Sequence, residues 1–274
     1  VLFRSEIISR LLPAEKHRIA YEEPSHNGIR NIFLQNGYEL FPIPVIENGI
    51  DVDKLFDSCC NLLYVMPSHQ FPTGRTIPVS NRLRLLEWAI RNDAYIIEND
   101  YDSEFPHQTR PIPSLQSLDH YDHVIYFVLP YSLLDKYEQM YRYFNAALPS
   151  FNQIALSNFI ASGDFERHLR KLVKINEHKY NLLLKSIHTF LSSYMDVVDT
   201  PAGSHIIVRI RNCTNQQKLI DALREKSISI YGVQQYFHTG TASEDIFLLG
   251  FSSLEESEIP EACEALAKAL SELL

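Results

Sequence analysis

Along the N-terminal half of the chain, short apolar runs without polar alternation take turns with stretches in which apolar residues recur at helical spacing. Residues 18–21, 38–45, 61–66 and 95–97 are of the first kind and predict strands, the last of them buried on both faces of a sheet. Residues 26–34, 52–58 and 80–92 are of the second kind and predict helices. Alternation of this sort is the pattern of a doubly wound, mostly parallel sheet flanked by helices, an α/β architecture. The chain opens inside a helix, with Ile7, Ile8, Leu11 and Leu12 at helical spacing up to Pro13, so whatever precedes that helix in a complete fold is expected to lie outside it.

Further along, residues 124–127 and 128–130 each predict a strand, and 132–148 an amphipathic helix with Lys136 at its surface. Helical spacing then holds over 152–161 and 164–191. The second of these carries Arg167, Arg170, Lys171, Lys174, Lys179 and Lys185 among Leu169, Leu172, Ile175, Leu182 and Leu183, which predicts a core helix with a solvated charged side rather than a DNA contact. From Val197 the pattern changes to short strands, 206–210, 229–231 and 247–251, separated by helices at 216–226 and 255–274. The expected division is therefore a large unit over residues 1–162 and a small α+β unit over 163–274.

Composition narrows the function classes. The 274 residues are 45% hydrophobic, enough for a substantial core, and the net charge of −9 argues against a nucleic-acid surface spread over the whole molecule. No apolar run approaches the roughly 20 residues of a membrane span, and the first residues are too few for a signal peptide, so a cytoplasmic protein is expected. Cys59, Cys60, Cys213 and Cys263 lack CxxC spacing and suit packing in a reducing compartment. His120, His123 and the alternating Glu98, Asp100, Asp102 and Glu104 invite a metal, yet no third partner stands at ligand spacing, and none is assigned. Nucleotide-binding and hydrolase motifs are lacking too.

The informative stretch runs from Ala94 to Phe105, where the apolar strand breaks into Glu98-Asn99-Asp100-Tyr101-Asp102. Ligands of open α/β sheets bind beyond the carboxyl ends of the strands, and the loop Pro67-Ser68-His69-Gln70-Phe71-Pro72-Thr73-Gly74 faces the same edge. With Glu22-Glu23-Pro24 upstream and Arg110-Pro111-Ile112-Pro113-Ser114-Leu115 downstream, these motifs closely resemble the MocR/GabR branch of GntR-type bacterial transcription regulators. The resemblance is specific over 22–119 and weaker from there to the C-terminus. Members join a winged-helix DNA-binding domain to an effector domain with the type I (class I/II) aminotransferase fold. The resemblance implies pyridoxal 5'-phosphate as cofactor, a homodimer, an amine or amino acid as effector, and DNA contact only through the winged helix, which this sequence does not contain.

Residue by residue, the resemblance places His26 where an aromatic ring stacks on the pyridine, Asn99 where a carboxylate meets the ring nitrogen, and Tyr101 where a tyrosine bonds the ring hydroxyl. Asparagine can hydrogen-bond that nitrogen but cannot hold it protonated, which weakens the cofactor as an electron sink. His69, in the loop after residues 61–66, completes the expected cofactor-binding set of His26, His69, Asn99 and Tyr101, and all four are expected to share one pocket. Where members continue Val-Ile-Tyr with the lysine of the Schiff base and an arginine-bearing strand, Phe127 abuts Val128 here; either the protein has lost that segment or the sequence omits it. The arginine that takes a substrate carboxylate before the last strand is also missing, with Glu244 or a neighbour in its place. Three classes follow: an effector-binding, dimerising domain of a regulator, an active aminotransferase if the lysine segment exists, or a degenerate domain that binds no cofactor.

Overall fold

The computed structural model describes residues 2–100, 112–126, 129–142, 149–198 and 203–274. Among them a six-stranded sheet is built from β1 (Ile19–Glu23), β2 (Leu40–Ile46), β3 (Gly49–Ile50), β4 (Leu62–Val65), β5 (Tyr95–Glu98) and β6 (Val124–Ile125) in the order β3-β2-β1-β4-β5-β6. All neighbours are parallel except the β2–β3 pair. Leu63 stands opposite Ile96, so the two strands expected to lie in one sheet are adjacent. α1 (Leu2–Leu11) precedes the first strand, and the helices between strands are α2 (Asn27–Gln35), α3 (Val52–Phe56), α4 (Val79–Arg91) and α5 (Leu115–Leu118).

Local chemistry sets the helix starts. The His26 ring accepts the Gly28 amide (3.0 Å) ahead of α2, Asp51 that of Lys54 (3.2 Å) in α3, and Ser114 that of Ser117 (3.1 Å) in α5. Apolar side chains cover both sheet faces: Leu63, Val65, Leu85, Trp88 and Ile96 on one, Ile19, Tyr21, Phe33, Leu62, Tyr64 and Ile97 on the other. Burial on both faces is why these strands read as unbroken apolar runs.

α6 (Tyr131–Tyr141), α7 (Ser150–Ala161) and α8 (Asp164–Ser186) follow, the last running into a π-helical turn at Ile187–Leu191. The C-terminal unit has its own four-stranded antiparallel sheet of β7 (Met195–Val198), β8 (His205–Ile210), β9 (Tyr231–Gly232) and β10 (Ile246–Gly250), ordered β7-β8-β10-β9, with helices α9 (Gln216–Glu225) and α10 (Glu258–Leu273). A separate core holds it, centred on Leu191, Ile206, Val208, Leu223, Phe247, Phe251 and Leu270.

Several local expectations shift. Leu129 and Pro130 are not strand: Pro130 caps the start of α6, and a proline restrains the residue before it. The strand expected at 229–231 pairs instead at Tyr231–Gly232. β3 and β7 were not foreseen; β3 is two residues closing a hairpin at Gly49 (φ +86°), where an added Cβ would lie 2.5 Å from Ile77. Lys136 is exposed, and its ammonium reaches back to the Leu11 carbonyl at the end of α1. The junction of Phe127 and Val128 lies outside the described residues, as does Tyr101.

Candidate functional site

Strand order reverses between β1 and β4: the chain steps from β1 outward to β2, then returns to the other side of β1. At such a switch point the connections leave in opposite directions and open a crevice beyond the carboxyl ends. What leaves β1 is Pro24-Ser25-His26; what leaves β4 is Met66 to Gly74.

Buried polar side chains brace this edge. Glu22 is fully buried and accepts the Met66 amide (2.9 Å), tying β1 to β4, and burial pushes its carboxyl well above the ordinary carboxylate value. Gln70 donates to the Pro24 and Phe71 carbonyls (2.7 Å each) while its oxygen accepts both the Thr73 amide (3.1 Å) and hydroxyl (2.6 Å). The buried Arg82 guanidinium on α4 donates to three carbonyls, Ile77 (2.9 Å), Pro113 (2.8 Å) and Pro67 (2.8 Å). Desolvation lowers its pKa against the pull of Glu98 and Asp100. Glu98, at the end of β5, accepts the Leu115 and Gln116 amides (2.9 Å each); burial raises it, and those two bonds oppose the rise. Asp100 accepts the Tyr126 hydroxyl (2.8 Å). These carboxylates are thus engaged by the fold itself. Among the described residues no three His, Cys, Asp or Glu side chains gather as metal ligands.

Of the four expected site residues, three can be located. His26 is exposed at the start of α2, with its ring 5.8 Å from that of Phe71. His69 is fully buried. Asn99 is buried just past the end of β5, its backbone N–H donating to the Val65 carbonyl (2.9 Å). All three follow strands of the contiguous set β1-β4-β5, so they lie along one sheet edge.

The other wall of the edge comes from the C-terminal unit, which sequence inspection did not assign to it. The ring of His205, at the start of β8, stands 5.6 Å from His69 and 5.4 Å from Phe71; Tyr236 stands edge-on to Phe71 at 4.8 Å. Phe71 also packs with the apolar cluster of Ile207, Val233 and Leu248. Gly203 (φ +101°) lies so close to His69 that a Cβ there would be 2.5 Å from Nε2, and the Asn176 amide of α8 holds the Gly203 carbonyl (3.0 Å). His69 therefore sits under a lid of C-terminal backbone. The Tyr21 hydroxyl contacts His238 Nδ1 (2.8 Å); burial, reinforced by the Glu23 carboxylate, pushes that phenol above its ordinary value.

Among the described lysines, Lys136 reaches the Leu11 carbonyl at the end of α1, Lys179 donates to the Ser252 carbonyl (3.1 Å) and Lys226 pairs with Glu272 (2.6 Å). Asn99 cannot supply the charge that would hold a pyridine nitrogen protonated. Glu244 caps α9 by accepting the Gln216 amide (2.7 Å), so the position expected to carry an arginine does structural duty here. What the described part of the edge offers is imidazole, amide and aromatic surface, groups able to bind and orient a ligand.

The fold is that of the type I aminotransferases. The chain superposes along its full length on 74% of the Pyrococcus horikoshii kynurenine aminotransferase, solved in complex with PMP, at a TM-score of 0.85 and 19% identity. In sequence it is 30% identical to the uncharacterised HTH-type transcriptional regulator YdeL of Bacillus subtilis over 92% of this chain and 58% of that one. It is 27% identical to the probable rhizopine catabolism regulatory protein MocR of Rhizobium meliloti over 96% of this chain and 57% of that one. No family model matches it. The chain spans a little under three fifths of the length of these two regulators. Fold and relatives together define an aminotransferase-like domain of the kind that MocR-type regulators carry.

Proposed function

We propose that the chain is the effector-binding and dimerising domain of a MocR-type transcription regulator, acting in the cytoplasm, with residues 1–162 and 163–274 as its large and small units. The single observation that supports this most is the make-up of the sheet edge: His26, His69 and Asn99 follow three adjacent parallel strands, β1, β4 and β5, and so lie along one carboxyl edge. A domain so equipped binds a small amine or amino acid, with or without pyridoxal phosphate, and does not transaminate it. The signal would then be a change of geometry relayed to a winged-helix domain outside this chain, and DNA contact belongs to that domain.

The dimer is supported by α7. All twelve of its residues are exposed, among them Phe151, Ile154, Leu156 and Ile160, and an apolar helix left on the surface marks an interaction face. A second copy of the chain is the occupant proposed.

The test is to incubate the purified chain with pyridoxal phosphate, reduce with borohydride and weigh the intact protein. No stoichiometric pyridoxyl adduct is expected. One that maps to a single lysine would show a covalent anchor for the cofactor, and pyridoxamine phosphate formed on adding an amino acid would overturn the non-catalytic reading and favour an aminotransferase.

A further inference from the structure

Between the two units, a set of hydrogen bonds gathers on a few residues at the end of β1. Glu23 is buried, and its Oε1 accepts the backbone N–H groups of His238, Thr239 (2.7 Å) and Gly240 (3.3 Å), three successive donors of the C-terminal unit closing on one carboxylate oxygen. Around it the Ser25 amide donates to the Tyr236 carbonyl (3.0 Å), the Asn27 side-chain amide to the Gln235 carbonyl (2.8 Å), and the Tyr21 hydroxyl meets His238 (2.8 Å). Residues 21–27 are thereby fastened to residues 235–240.

We propose that Glu23 is the latch between the units: its carboxylate holds the 238–240 turn down on the carboxyl edge of the sheet, and its release lets the C-terminal unit move over the crevice. The electrostatics suit a catch that opens. Successive N–H dipoles converging on one oxygen form an anion-binding concavity, and such charge-assisted bonds are stronger than neutral ones. Among the described residues Glu23 makes no salt bridge; beside the Tyr21 hydroxyl of its own strand, the donors that permit its burial are the other unit's backbone N–H groups. When the unit lifts, water replaces those donors at a carboxylate it solvates well. Because Phe71 and Tyr236 are in ring contact and Ser25 adjoins His26, movement of the 235–240 segment changes the wall facing His26 and His69. The proposal rests on the docking of the units and holds whether or not a cofactor binds.

Hydrogen–deuterium exchange read by mass spectrometry on the intact chain tests it, with Glu23→Ala and the milder Glu23→Gln. In Glu23→Ala, peptides covering 236–241 are expected to exchange about tenfold faster, and the facing 24–28 segment to speed up with them, while β8 and β10 keep wild-type rates. Glu23→Gln keeps one acceptor without the charge and is expected to fall between. Unchanged exchange at 236–241 in both variants would refute the latch. So would acceleration spread evenly through β8 and β10, since that marks support of the fold as a whole. Should Glu23→Ala fail to fold, Glu23→Gln alone separates these outcomes by the same peptides.

Discussion

At the scale of single residues, the strongest departure from ordinary solution behaviour is Glu22. Its carboxyl is buried between β1 and β4 and binds the Met66 amide, and burial raises its folded-state pKa well above the value near 4.5 of the unfolded chain. Folding therefore takes up a proton at this site. The stability it contributes is complete below the unfolded value and is lost as pH climbs through the raised folded one. Glutamine keeps an acceptor for the Met66 amide and carries no charge at any pH. The expected outcome is that Glu22→Gln gains on the wild type between about pH 5 and 8, as followed by urea unfolding at each pH. A stability difference that stays flat over that range would mean the carboxyl is not buried in the way described.

At the scale of elements, the crevice is shaped by loops that side chains pin in place, and α4 contributes the main pin. Arg82 donates to carbonyls from the loop after β4, the start of its own helix and the segment before α5. Removing it strands three acceptors and leaves Glu98 and Asp100 without the neighbouring positive charge. Arg82→Met is expected to destabilise by about 3 kcal/mol in chemical denaturation, since lost partners of buried polar groups cost the full desolvation. Arg84, two residues on, supplies the control: it pairs with Asp53 at the surface, and Arg84→Met is expected to change stability by under about 0.5 kcal/mol. Equal effects at the two positions would show that the loops do not depend on the buried guanidinium.

At the scale of the whole molecule, two units with separate cores meet at a polar and aromatic seam, and the proposed dimer must be sealed elsewhere, by α7. Phe151 and Ile154 are 79% and 60% exposed. Burying such side chains against a second copy stabilises by roughly 1.5–3 kcal/mol each, so the double change Phe151→Glu with Ile154→Glu is expected to weaken self-association by well over tenfold. Sedimentation velocity across a concentration series checks this. An undiminished dimer would move the interface off α7.

Much was legible in the sequence because it rested on local period and motif. Tyr95 to Ile97 is apolar without alternation because both faces of β5 are covered, and that is visible in one dimension. The βα alternation and the placement of His26, His69 and Asn99 after strands needed no coordinates. What the tertiary structure alone decided is which distant segments close over that edge. His69 and His205 are 136 positions apart, and the contact of Tyr21 with His238 spans 217. A contact at such separation leaves no period, since His205 opens a strand and His238 sits in a turn for reasons of their own neighbourhoods. The short pairings β3 and β7 escaped for a related reason: their strand character comes from a partner's hydrogen bonds rather than from their own side chains. Local sequence determines which elements form and where they stop; which buried donor meets which carboxylate is settled only when the whole chain has packed.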